Sequence, residues 1–254
     1  MKHLYNCSLG KDSVAELILA KKQNVPIDRI VFADLQDADF PQMKEHLFKV
    51  QDYIGTEIEV IKAPFTFNEK FFQPVTKGNY VRPYRGFPPT VGCSCWVKRD
   101  MKITPIERWT KQNDLSGYVR HFGFAKGEEE RLARLPDGVS LLIENGITEN
   151  QAREICEDAG LLNPLYRYFD RLGCWLCPKQ SLKSWRSLWL NFSDLWQKLK
   201  YYERFCIWKL TPRYTTNEME ERFIREAEVW QKTEKEKQDK DFATTYVYGK
   251  TDAP

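Results

Sequence analysis

Two groups of residues in this chain are of types and spacings that do chemistry. The first is Asn6-Cys7-Ser8-Leu9-Gly10-Lys11-Asp12-Ser13. It follows a short apolar run, His3 to Cys7, and opens a helix with Val14, Leu17, Ile18 and Ala20 on one side. A strand, a tight turn and a helix in that order aim backbone N–H groups and a helix N-terminus at an anion. Lys11 adds a mobile positive charge, Ser8 and Ser13 add hydroxyls, and Leu9 and Gly10 present N–H groups, so this segment is expected to hold nucleotide phosphates. Asp12, in the first helical turn, either binds Mg²⁺ beside those phosphates or simply complements the helix dipole. The spacing is not Gly-x4-Gly-Lys-Ser/Thr. The ordinary alternative is a strand–helix turn capped by Ser8.

The second group is thiols. Four of the seven cysteines come in close pairs, Cys93-Ser94-Cys95 and Cys174-Trp175-Leu176-Cys177-Pro178. A C-x-x-C pair before proline lets both sulfurs reach one ion or one cluster edge. Cys93 and Cys95 cannot both do so from a regular helix, since residues two apart point to nearly opposite sides. They are expected in a loop or at a helix start, which Pro88, Pro89 and Gly92 allow. Together the pairs supply four thiolates, enough for tetrahedral zinc or a [4Fe–4S] cluster; the alternative is small buried apolar residues. Cys7, Cys156 and Cys206 read as core, the last in an apolar helix over Arg204 to Trp208, where burial blunts a thiol.

Further candidates stand singly. Asp34 closes the second strand and is either a nucleotide or metal contact or a turn residue. Gly123 suits a close approach of backbone to ligand. Arg131 and Arg134 read as phosphate or transition-state clamps, Arg131 as a catalytic residue with Lys11 and Asp12; the alternative is surface ion pairs with Glu128 to Glu130. Lys98 and Lys102 lie near the cysteines, where a cation offsets thiolate charge. His3, His46 and His121 are scattered and receive no catalytic role.

Alternating strands and helices must position these groups. Strands are predicted at 3–7, 29–33, 57–61, 117–124 and 139–143. Helices are predicted after the loop, from about Pro41 to Tyr53 with proline in the first turn, over 95–109, and over 148–159, with Thr148 and Gln151 forming a capping box. Such alternation argues for a parallel sheet with crossover helices, its ligand at the C-terminal strand ends, where Ser8 to Ser13 and Asp34 meet. Residues 65–90, rich in aromatics and proline, read as a long loop over that crevice. From Gln180 the chain turns helical, with Trp185, Trp189, Trp196 and Trp208 as a core stripe. Residues 231–241 form a solvated charge run. The expected domains are 1–178, the α/β nucleotide-binding domain with the cysteine site, and 179–254, a helical extension with a charged tail.

The 254 residues suffice for a large core. Their net charge of +3 neither demands nor excludes a nucleic-acid partner. No apolar run approaches a membrane span, and Met1-Lys2-His3 leads into a strand rather than a signal peptide, so no membrane association and a cytoplasmic location are expected. In that setting, close-spaced cysteines point to metal or redox chemistry rather than disulfides.

The Ser-x-Gly-Lys-Asp-Ser loop resembles the PP-loop of the adenine nucleotide α-hydrolase superfamily, which includes ATP pyrophosphatases and phosphoadenosine phosphosulfate (PAPS) reductases. The order of loop, cysteine pair and C-x-x-C is similar to the adenosine phosphosulfate (APS)-type reductases, which carry a [4Fe–4S] cluster, and to PP-loop proteins of DNA phosphorothioation. Cys95 to Ile106 resembles the family's Cys-x-x-x-Lys-x-x-Pro-Leu/Ile segment, and Gly123 to Arg134 its Gly-Ile-x-Ala-Asp-Glu-x-x-Arg stretch. Leu142 to Glu149 and Gly173 to Pro178 look like segments of an often phage-encoded branch of PAPS reductase-like proteins.

The resemblance spans about residues 3–200. It implies a Rossmann-like (HUP-type), mostly parallel sheet flanked by helices, and an enzyme using ATP, APS or PAPS, with a [4Fe–4S] cluster or zinc on Cys93, Cys95, Cys174 and Cys177. Sulfonucleotide reduction or sulfur transfer is one implied reaction. Another is ATP cleavage that adenylates a base or other acceptor for thiolation or amidation, with Mg²⁺ and Lys11 stabilising the departing pyrophosphate. A non-catalytic nucleotide-sensing zinc protein is the rival of a different class. A nucleic-acid or protein acceptor, a thiol donor and self-association are all compatible with the sequence. Three departures stand out. Cys-Ser-Cys replaces adjacent cysteines, Leu9 stands at the loop's usual second glycine, and no cysteine follows Cys206, whereas the reductases carry a nucleophilic cysteine in a Glu-Cys-Gly tail.

Overall fold

The computed structural model describes residues 1–77, 81–90, 95–135, 137–206 and 209–228. The chain divides into two compact units, Met1–Gln180 and Ser181–Pro254. In the first, β1 (His3–Asn6) leads through the loop into α1 (Lys11–Lys22), β2 (Arg29–Asp34), α2 (Met43–Ile54), β3 (Ile58–Lys62) and α3 (Phe67–Phe72). A π-helical stretch, Val97–Ile103, runs into α4 (Thr104–Gln112). Then come β4 (Val119–Phe122), α5 (Glu129–Leu132), β5 (Gly138–Val139), α6 (Leu141–Glu144) and α7 (Glu149–Asp158). All five strands are parallel, in the order β3-β2-β1-β4-β5. The fold is therefore α/β with a Rossmann-like parallel sheet. Strand order reverses at β1, so the crevice at the switch point opens where β1 ends, at Cys7 and Ser8.

Both sheet faces are covered, which is why Ile30, Val31, Phe32 and Ala33 form an unbroken buried run. Tyr5, Ile30 and Phe32 face the helices that contribute Val14, Leu17, Leu47, Leu142 and Cys156. Leu4, Val31 and Ala33 face the other way, onto Ile106 and Leu115. Alternation along each strand thus splits one apolar run between two cores.

Several expected boundaries change. Strand β5 is only Gly138–Val139, because Ser140 caps α6 and the buried Glu16 carboxylate accepts from Leu141 N at 2.8 Å and Leu142 N at 3.1 Å. Helix α2 begins at Met43, leaving Pro41 in the preceding turn. The span 65–90 is not one loop: Thr66 and Glu69 form a capping box that starts α3, and Val75 pairs antiparallel with Arg82. The helix expected over 95–109 is π-helical before Thr104, with Pro105 in the first turn of α4.

The second unit holds α8 (Leu182–Asn191), α9 (Ser193–Glu203) and a helix over 216–228. Trp185 and Trp196 are core, and Trp189 packs against the buried Phe223 with its ring tilted by 37°. Cys206 falls after α9 rather than inside a helix, half-buried in a turn. Trp208 and the charge run at 231–241 lie outside the described residues. No helix among the described residues is long and apolar enough to cross a membrane.

His46, on α2, is 2% exposed, and its Nε2 has no partner. Burial holds its pKa down at about 4. The unfolded chain therefore binds the proton first, and native stability is full above the ordinary histidine range and falls as pH drops from about 6.5 to about 4. Urea titrations of His46→Leu should lose that component, about 3 kcal/mol at the acid end. An unchanged pH slope would show that the histidine is not buried neutral.

Candidate functional site

The loop is built by unlike restraints on neighbouring residues. Cys7 extends the strand, its N–H donating to Val31 O at 2.9 Å. Leu9 then adopts φ +59° with its side chain fully buried. A left-handed leucine costs about 1 kcal/mol or more and persists only where surroundings over-determine it. Gly10, at φ −86°, is the N-cap of α1 in the extended geometry usual there and has no side-chain cap, so Ser8 does not cap the helix. Ser13 Oγ ties the turn together: it accepts from Ser8 N at 3.0 Å, donates to Gly10 O at 3.0 Å and meets Ser8 Oγ at 3.1 Å.

The donors that would face an anion already hold protein groups. Lys11 N–H donates to the Tyr166 hydroxyl at 3.0 Å. Lys11 Nζ lies 2.9 Å from both Asp12 Oδ1 and Glu149 Oε2. Burial alone would lower the Lys11 pKa, but these two carboxylates outweigh it and hold the ammonium charged. Asp12 is raised by its burial despite Lys11, and Glu149 is lowered by it. Asn163, 1% exposed, donates to Leu9 O at 3.1 Å, and Cys156 Sγ donates to Lys11 O at 3.2 Å. Burial pushes the Cys156 thiol up to about 12, so it serves as packing and donor, as does buried Cys7.

Asn163, Tyr166 and Glu149 were not singled out from sequence, because nothing local connects them to the loop. Glu149 pairs with Lys11, so a phosphate entering there would have to displace it. Glu149→Gln should therefore tighten binding of Mg²⁺-free ATP by roughly two- to fivefold in a calorimetric titration, the worth of one solvent-exposed ion pair. Weaker binding would show that the carboxylate helps hold the ligand.

Gly123 makes a close approach to protein backbone. A Cβ there would sit 2.5 Å from Asp12 C and Ser13 N and 2.6 Å from Asp12 O. The close approach is between β4's exit and the first turn of α1. Asp34 accepts from Gln36 N at 2.7 Å and pairs with Lys62 at 3.1 Å at the end of β2. Arg131 bonds Glu128 and lies 4.6 Å over the Phe124 ring, while Arg134 approaches Glu130 at 3.9 Å. Both arginines thus make the ion pairs that were their alternative. Two of the three histidines come together: His3 Nδ1 meets His121 Nε2 at 2.9 Å, and His121 Nδ1 meets the buried Glu16 at 3.2 Å, while His46 stands apart on α2.

The C-x-x-C turn docks on the segment that leaves β2. Trp175 donates from Nε1 to Asp37 O at 2.9 Å, and Asp37 in turn caps α3 by accepting from Phe67 N at 2.6 Å. Burial raises the Cys174 and Cys177 thiols, and the nearby Cys95 raises both further. Lys102, from the π-helical stretch, is lowered by burial but lies within electrostatic reach of Asp39, Cys174 and Cys7. Asp39, which burial raises to about 6, supplies its counter-charge. Cys93 lies outside the described residues. Among the described residues no three His, Cys, Asp or Glu side chains are drawn together closely enough to hold a metal ion. The donor chemistry nevertheless suits one: buried thiols within electrostatic reach of one another, costly to ionise there, are soft ligands that zinc or iron would stabilise.

Sheet order and loop define a Rossmann-like α/β protein with the helix N-terminus of α1 at its switch point. No family model matches the sequence. Over 201 residues, 74% of this chain, it is 23% identical to the uncharacterized protein MJ0066 of Methanocaldococcus jannaschii, and it spans 38% of that protein's length. Among solved structures, the PAPS reductase of Candida auris, in its phosphate complex, is similar over 69% of this chain and 82% of that one, at 18% identity and a TM-score of 0.47. At such distances, any chemistry assigned to this chain rests on its own residues.

Proposed function

We propose that this protein is a PP-loop enzyme that binds an adenine nucleotide and acts in sulfonucleotide reduction or sulfur transfer, with a thiolate-bound zinc or [4Fe–4S] centre. The carrying observation is that the C-x-x-C turn docks on Asp37 and Ala38, just past the end of β2, next to the end of β1 where the phosphate loop starts. One crevice would thus bring bound phosphates and thiols together. Ser8, Leu9, Gly10, Lys11 and Ser13 would hold the phosphates; Cys95, Cys174 and Cys177, with Cys93, would hold the metal. Such a centre supplies charge stabilisation or electrons beside the substrate.

A second reading has its own support. Asp12 and Glu149 flank Lys11, and two carboxylates beside a phosphate site suit Mg²⁺–ATP and adenylation of an acceptor. Calorimetric titration of anaerobically purified protein with Mg²⁺–ATP, APS and PAPS separates the readings. Preference for a sulfonucleotide favours the first and preference for ATP the second; binding of none rejects both. In the same preparation, Cys174→Ser and Cys177→Ser should each strip the metal, and full metal retention in both would reject the cysteine site.

A further inference from the structure

The positive charge of this chain is not spread evenly. Residues 65–102 carry seven Lys or Arg against two Asp or Glu, while the whole chain nets only +3, so the remainder is net negative. Within this span, residues 81–90 form a strap laid back on α3. Arg82 and Val75 exchange backbone hydrogen bonds of 3.0 Å, Arg85 N–H donates to Gln73 O at 2.9 Å, and Gly86 N–H to Phe71 O at 3.1 Å. Trp96 anchors the strap from the cysteine side, donating from Nε1 to Gly86 O at 3.3 Å and stacking on Phe67 at 5.2 Å. The strap therefore adjoins Cys95 and is held in shape.

Its arginines lack the counter-charges that so fixed a backbone would normally bring. Nε of Arg82 and Nε of Arg85 are both buried without a hydrogen-bond partner, and neither residue makes an ion pair among the described residues. The carboxylate in reach of Arg85, Asp100, is already engaged by Arg99 at 2.6 Å. With no carboxylate among the described residues neutralising either guanidinium, the two arginines leave positive charge for an anion from outside. Between the arginines Tyr84 presents an exposed ring, held edge-on by Phe72 at 5.4 Å and 90°. Guanidinium groups alternating with a braced aromatic face match a chain in which phosphates alternate with unstacked bases.

We infer that the strap and α3 bind single-stranded nucleic acid, with backbone phosphates on Arg82 and Arg85 and a base on Tyr84. An acceptor bound there is presented at the cysteine end of the crevice. The inference goes beyond nucleotide binding and does not depend on it, so ATP affinity serves as the control.

The test is fluorescence anisotropy of the full chain with a labelled oligothymidylate of about 16 nucleotides. Binding should weaken with salt, with a log–log slope of about −0.7 per phosphate contacted. Arg82→Glu with Arg85→Glu should weaken it at least about tenfold, and Tyr84→Ala by roughly fivefold, with ATP titrations unchanged. Arg82→Gln with Arg85→Gln gives the same comparison if the charge reversal fails to fold. No salt-dependent binding by the intact protein, or unaltered binding by the arginine variants, would overturn the inference. So would tighter binding of a duplex of equal length. A matching loss of ATP affinity would also overturn it, by placing the arginines in the nucleotide site.

Discussion

Lys11→Ala should cost adenine-nucleotide affinity roughly 10- to 100-fold, the worth of one charge-assisted contact to phosphate. The side chain is held at the helix N-terminus by two carboxylates 2.9 Å away, so its position is set before any ligand arrives. Removing the ammonium also leaves Asp12 and Glu149 facing each other unshielded, which repels an incoming phosphate. Lys11→Met, which keeps the apolar stem, should lose affinity to the same degree, so the effect is one of charge rather than packing. Metal content should be unaltered in both. Equal affinity of variant and wild type in a calorimetric titration would reject the loop as the phosphate site.

Gly123→Ala is expected to be as damaging, through the backbone. The new methyl would lie 2.5 Å from two main-chain atoms of Asp12 and Ser13. Main chain at the start of a helix packed into the core cannot rotate aside, so α1 or β4 must shift. The cost is about 3 kcal/mol of stability, at the upper end for overpacking. Nucleotide affinity should fall as well, because the displaced turn carries Ser13, which ties Ser8 to Gly10. Chemical denaturation of the variant checks the first part and titration the second. A loss below about 1 kcal/mol would mean that the two segments separate easily.

What could be read from sequence divides by the range of the forces involved. The loop after β1, strands β2 and β3 and the Thr148–Gln151 capping box announce themselves within a few residues, through apolar runs and capping side chains. Thr66 and Glu69 carry the same local signal inside a stretch read as loop, so α3 was legible but hidden among aromatics and prolines. The contacts that finish the site are not local. Tyr166 and Asn163 reach the loop across the fold, and His3 meets His121 only because β1 pairs with β4 in the register Tyr5↔His121. A sequence states which residues can donate or accept; which of them meet depends on strand order and register. Gly123 shows the same limit. Its type signals a close approach, but the partner, α1's own backbone, is visible only once the strands are placed.

The buried leucine in the phosphate loop carries a thermodynamic consequence. With a glycine at position 9, the turn could sample many shapes and settle only around its ligand. Leu9 instead pins a disfavoured backbone angle by sinking its side chain wholly into the core, so the conformational entropy of the turn is given up during folding rather than at binding. Phosphate then meets a receptor of fixed shape, and little apolar surface remains to be buried on association. Nucleotide binding should accordingly show a heat-capacity change close to zero, the signature of docking without coupled folding.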